Sequence, residues 1–172
     1  MREIIQLTLQ AVAVCVLVTV PALAEEITEG PVNDFLGAPQ LEMQQIFPGE
    51  RFPNIVVTPK GTVLATWGTS GVRVRRSEDG GTTWGKVITI ASPGFQCGGT
   101  TVDETTGDVL AFVEDHHPPA PLSVYRSTDD GLTWKAEDVK IQPDSKGNMP
   151  SMHMNEHGIT LQHSKYKGRL LR

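Results

Sequence analysis

One eight-residue pattern occurs twice in this chain. Ser77-Glu78-Asp79-Gly80-Gly81-Thr82-Thr83-Trp84 and Ser127-Thr128-Asp129-Asp130-Gly131-Leu132-Thr133-Trp134 both read S-x-D-x-G-x-T-W. Each follows a run with strand character, Val72-Arg73-Val74-Arg75-Arg76 or Leu122-Ser123-Val124-Tyr125-Arg126. The residue types suit a hairpin turn. An Asp carboxylate accepts bonds from nearby backbone N–H groups, Gly tolerates positive φ, and Ser and Thr hydroxyls tie the flanks. The Trp supplies an apolar anchor whose N–H needs a partner. Two copies in register, about 50 residues apart, mark a repeat with the period of a β-propeller blade.

The repeat extends upstream. Gly61-Thr62-Val63-Leu64-Ala65-Thr66-Trp67 answers Gly107-Asp108-Val109-Leu110-Ala111-Phe112-Val113, and Gly168-Arg169-Leu170-Leu171-Arg172 begins a third copy. A turn precedes each glycine, and an apolar or β-branched run precedes each turn: Ile55-Val56-Val57, Thr100-Thr101-Val102 and Ile159-Thr160-Leu161. The unit reads strand, turn, strand, loop, strand, Asp-containing turn, strand. Four short strands per repeat make a blade, so the fold class is all-β and the architecture a β-propeller. About two and a half blades are expected here: blade 1 at about 51–91, blade 2 at about 98–141, and the start of a third at about 149–172. Propellers close with roughly four to eight blades, so the chain reads as the N-terminal part of a longer protein.

Gly61 and Gly107 lie 46 positions apart, Ser77 and Ser127 lie 50. The additional residues fall between strands two and three, where Gly68-Thr69-Ser70-Gly71 is replaced by Glu114-Asp115-His116-His117-Pro118-Pro119-Ala120-Pro121. In an antiparallel meander alternate loops emerge at opposite ends. The Asp-containing turns therefore share an end with the first hairpin turn, and their residues Ser77, Asp79, Gly81, Trp84, Ser127, Asp129, Gly131 and Trp134 are structural. The other end carries Glu50-Arg51-Phe52-Pro53, Asp115, His116 and the segment Met152-His153-Met154-Asn155-Glu156-His157. Loop variation at one end of a repeated scaffold is where binding sits.

Residues 1–24 have the pattern of an export signal: Arg2, an apolar stretch from Ala11 to Val20, and Ala22-Leu23-Ala24 as the cleavage site. A secreted or periplasmic location, with no membrane span after cleavage, is the expectation. Residues 25–50 form a lead-in and 51–172 the partial propeller. Cleavage removes Cys15 and leaves Cys97, so no internal disulfide can form and Cys97 is expected to be a small buried hydrophobe. The formal net charge is -5 with no basic stripe, which argues against nucleic acid as a partner.

The paired octapeptide resembles the Asp-box, or BNR repeat, of sialidases (neuraminidases). Arg51-Phe52-Pro53 followed by Asn54-Ile55-Val56-Val57-Thr58-Pro59-Lys60-Gly61 is similar to the Arg-Ile-Pro opening of that family, with Phe52 in place of Ile. The resemblance implies six blades in the full-length parent and exo-α-sialidase activity on sialylated or other acidic-sugar glycans. Arg51 would be the first of three arginines that hold the substrate carboxylate. The other two, and a Tyr nucleophile with its Glu partner, would lie beyond Arg172, leaving the fragment alone inactive. In one respect the chain departs from the family. The acid/base Asp of sialidases sits in the first blade's loop between strands two and three, where Gly68-Thr69-Ser70-Gly71 has no carboxylate.

Asp115, in the same loop of the second blade, is the candidate substitute; the alternative is that it caps its loop or is solvated. Glu156 is a second candidate for proton transfer. His116 and His157 are candidates for sugar contact. A metal reading of Glu114-Asp115-His116-His117 fails on spacing, because adjacent histidines in an extended segment diverge. No metal or cofactor is expected. Arg75 and Arg76 read as surface groups on opposite sides of strand three, and the three tryptophans as core. The other function class is a non-catalytic Asp-box propeller that binds glycan or protein.

Overall fold

A computed structural model of the chain describes residues 42–96, 99–150 and 157–172. The chain divides into two compact units, Met1–Met43 and Gln44–Arg172. Of the first, only Glu42 and Met43 are described, both exposed. The signal-like stretch and Cys97 lie outside the described residues, among which no helix is long and apolar enough to cross a membrane.

All described regular structure is antiparallel β and lies in the second unit. The first sheet runs β1 (Asn54–Val57), β2 (Val63–Trp67), β3 (Val72–Ser77), β4 (Ile88–Ala91), each paired with the next. The second repeats it with β5 (Thr100–Val102), β6 (Val109–Glu114), β7 (Leu122–Ser127) and β8 (Lys135–Ala136). A hairpin of β9 (Ile159–Thr160) and β10 (Leu170–Leu171) starts a third. The first strands of successive sheets neighbour one another, β1 beside β5 and β5 beside β9. Four-stranded meanders standing side by side on their first strands are blades of a propeller, present here in part.

Local sequence explains the strands. β1 alternates buried and exposed residues, as β-branched runs with one buried face do. β2 is buried along nearly its whole length, between two partners in its own sheet and a neighbouring sheet. Leu64, Val72, Val74, Ile90, Val109, Ala111 and Val113 form one cluster drawn from both sheets. Each fully buried Val or Leu there stabilises by about 1.5–3 kcal/mol. The three first hairpins use one device. Gly61, Gly107 and Gly168 have φ of 86°, 82° and 84°, a left-handed conformation that costs glycine little.

The two S-x-D-x-G-x-T-W turns are near-duplicates in space. The Ser77 hydroxyl donates to Asp79 Oδ1 at 2.7 Å and accepts Gly81 N–H at 2.8 Å; Ser127 does the same for Asp129 at 2.9 Å and Gly131 at 2.8 Å. Asp79 and Asp129 each accept the backbone N–H of the following Thr at 2.8 Å and its hydroxyl at 2.6 or 2.5 Å. The tryptophans differ. Trp134 packs against the core and donates to Gly131 O at 3.1 Å. Trp84, half-buried like Trp134, does not pack on that cluster and donates to Gln44 Oε1 at 3.0 Å, so its role as a core residue is corrected.

Candidate functional site

At the end of the sheets away from these turns, four segments meet. Residues 50–53 enter β1, and the Gly68–Gly71 loop follows β2. The connection through Phe95 and Gln96 leaves β4, and the Asp115–Pro121 loop follows β6. Their backbones are stitched together. Gly68 N–H donates to Arg51 O at 3.2 Å, and Gln96 N–H to Gly68 O at 3.0 Å. Phe95 and Glu114 exchange both backbone bonds, at 2.7 and 3.1 Å. Aromatic contacts run the same way. The Phe52 and Phe95 centroids are 5.0 Å apart, and Phe95 meets His117 edge-on at 5.3 Å. Phe47 stacks on the buried ring of Trp67 at 4.5 Å.

Arg51 is exposed, its guanidinium 4.8 Å from the Phe52 ring centroid. Beside it, Arg73 Nη1 donates to both Glu50 carboxylate oxygens, at 2.9 and 3.2 Å. Asp115 and His116 are exposed in the blade 2 loop, where Asp115 N–H donates to Pro121 O at 3.2 Å. The aromatic bridge thus puts the segment bearing Arg51 and the loop bearing Asp115 and His116 at one end of the sheets. His157 is exposed elsewhere, in a hollow of about 270 Å³ against Ile55, Val57, Val102 and Ile159 on the first strands. Glu156 lies outside the described residues.

The loop after β2 has no room for an acid at its first position. Gly68 has φ 143°, and a Cβ there would stand 1.9 Å from Gly71 O. No L-residue fits. Among the described residues, no group of three His, Cys, Asp or Glu side chains is placed to hold a metal ion.

Sequence reasoning missed three residues. Glu114, read as part of the loop, ends β6 and is fully buried. Gln96 is fully buried too, its amide donating to Thr66 Oγ1 at 2.8 Å and Phe52 O at 3.2 Å. Arg76 is not the surface group its alternation suggests. Its side chain is 12% exposed, and it donates to Asp130 O at 2.8 Å, meets Asp130 Oδ2 at 3.5 Å and pairs with Glu78 at 3.0 Å. The Thr62 hydroxyl also donates to Asp130 Oδ2. Arg75 is half-buried as well. Besides Glu78 in its own turn, Arg76 is held by the neighbouring blade, and no local signal reports a partner 54 positions away.

Electrostatics are strongest in the turns. Hydrogen bonds from the Thr83 hydroxyl, the Thr83 N–H and the Ser77 hydroxyl pull Asp79 from its ordinary 3.8 to about 2. Burial pushes Asp129 up, but the bonds from Thr133 and Ser127 outweigh it and hold its carboxyl below the usual range. Ahead of the second turn, Arg126 loses to burial but gains more from Asp108 and Glu137, at 2.8 and 2.9 Å, and its pKa is raised.

The strands and their stacking define a protein of the β-propeller class. No protein-family model matches the chain. It is similar to the sialidase of Micromonospora viridifaciens, 30% identical over 160 residues, a match that takes in 73% of this chain and 25% of the relative. The chain thus spans about a quarter of the length of that curated relative. Among solved structures it is similar to a Hadza microbial sialidase, with a TM-score of 0.49 and 22% identity over 65% of this chain and 30% of that one. A protein of unknown function from Dyadobacter fermentans gives 0.44 and 21% over 62% and 40%. The sequence match gives the chain a sialidase-family relationship at low identity.

Proposed function

We propose that this chain is part of an exported, sialidase-like glycoside hydrolase that removes a terminal sialic acid or related acidic sugar from glycoconjugates. One observation carries the reading: an exposed arginine, at the position that matches the family's opening motif, stands at the end of the sheets away from the two turns. A guanidinium meets a sugar carboxylate in a bidentate, charge-assisted pair, and stacking on Phe52 orients its plane. In this reading Arg51 holds the carboxylate, and His116 contacts a sugar hydroxyl. Asp115 or Glu156 protonates the leaving oxygen. The test is titration of the full-length protein with N-acetylneuraminic acid and with a fluorogenic sialoside. Arg51→Ala is expected to weaken binding by roughly 10–100-fold, the loss of one charge-assisted pair. Undiminished binding and hydrolysis in that variant would remove Arg51 from the site.

The glycine at position 68 favours a second reading. A loop that cannot hold an acid at its first position suits a propeller that binds acidic glycans without cleaving them. Binding of the fluorogenic sialoside with no release of its fluorophore identifies this case.

A further inference from the structure

Phe52 has φ 61°, a left-handed backbone that is disfavoured for a bulky aromatic residue. Pro53 follows it and narrows its choices further. No glycine or asparagine signals this bend in the sequence, so other groups must hold it. Gln96 is one. Its carboxamide is fully buried at a cost in free energy: its two donor bonds go to Phe52 O and Thr66 Oγ1, while Oε1 finds no partner among the described residues. An apolar side chain would fill that volume more cheaply but could not grip a carbonyl. Glu50 is the other, tied to Arg73 on the opposite side of Arg51. Of Glu50, Arg51 and Phe52, the outer two are fastened to the sheet, while the side chain of Arg51 is exposed above the Phe52 ring.

We infer that Gln96 is a positioning residue for Arg51: by holding Phe52 left-handed, with the Glu50–Arg73 pair bracing the other side, it presents the guanidinium to an acidic sugar in one orientation. Backbone strain held in place by several independent bonds is characteristic of binding sites. The inference rests on the proposed role of Arg51 as the carboxylate anchor.

The experiment compares affinity for N-acetylneuraminic acid with affinity for its methyl ester, in which a methyl group caps the carboxyl and removes its charge. General damage lowers both affinities; a misaimed guanidinium lowers only the first. Gln96→Met, similar in volume but without donors, is expected to cut the acid-over-ester preference about tenfold, the loss of one well-made polar contact. A folded Gln96→Met protein that keeps the full preference overturns the inference. Should that variant not fold, Gln96→Asn, which keeps the donors but shortens their reach to Phe52 O, carries the same comparison with the same two outcomes. An Arg51→Ala protein with the parent's preference would instead remove the functional reading and this inference with it. Loss in Arg51→Ala with retention in Gln96→Met overturns the inference alone.

Discussion

Asp79 and Asp129 bind their own turns through the same short bonds, and this holds both carboxyls below the ordinary Asp value. For Asp79 the folded value of about 2 lies below its ordinary 3.8. A depressed carboxylate adds stability that is present above the unfolded value and is lost as pH falls through the folded one. The window for Asp79 is therefore from about 4 down to about 2, and Asp129 moves in the same direction. Urea midpoints measured between about pH 6 and pH 2 should fall through that window. In Asp79→Asn the fall should be shallower, since one of the two acids is gone. Parallel curves for the two proteins would show that the turn's bonds do not depend on its charge.

Strands and turns are the scale at which sequence spoke most clearly. Apolar alternation marks β1, the repeated glycine–strand signal marks the first hairpin of each sheet, and the Asp–turn–Trp signal marks the β3–β4 and β7–β8 turns, because these signals depend on neighbours a few residues away. Gly131 shows where locality ends. Its φ of 83° is the turn's own demand, but a Cβ there would also stand 2.8 Å from Leu64 Cδ2, in the adjoining sheet. Gly80, at φ 68° in the other turn, meets nothing within 4 Å. Alanine at Gly80 should thus cost about 1–2 kcal/mol, the left-handed penalty alone. At Gly131 the cost should be larger by roughly 1–3 kcal/mol, from overpacking against Leu64. Thermal or urea unfolding of the two variants decides it; equal costs would mean that Leu64 moves aside freely. The bend at Phe52 and the buried grip of Gln96 were illegible for the same reason as Gly131's contact: each is fixed by a residue distant in sequence.

For the molecule as a whole, the joints between blades decide behaviour. The Asn54 side-chain oxygen in β1 accepts Thr100 N–H at 3.1 Å and its hydroxyl at 2.7 Å, and Asp130 joins Thr62 and Arg76 at the other end. Stability in repeat proteins is a sum of units and nearest-neighbour joints. Amide exchange at Val74 in β3 and Val124 in β7 should therefore report a single opening free energy in the native protein. In Asn54→Ala with Asp130→Ala, those two amides should separate, with the less stable sheet exchanging first. Exchange that remains common to both would place the coupling in the apolar cluster instead. That a blade repeat exists was legible from two octapeptides; that Arg76 and Asp130 join the blades was not, because a joint is a property of two units rather than one.

The joint also has a direction. Blade 1 offers Thr62 and Arg76, and the turn of blade 2 answers with Asp130, where blade 1's own turn has Gly80. In blade 2 the place of Thr62 is taken by Asp108, already engaged by Arg126. Tandem copying of blade 2 onto its own end would set a second Asp130 against that acid, two like charges in place of a hydroxyl and a carboxylate. The two blades are therefore not interchangeable modules, and the order in which they follow one another is itself part of what the sequence specifies.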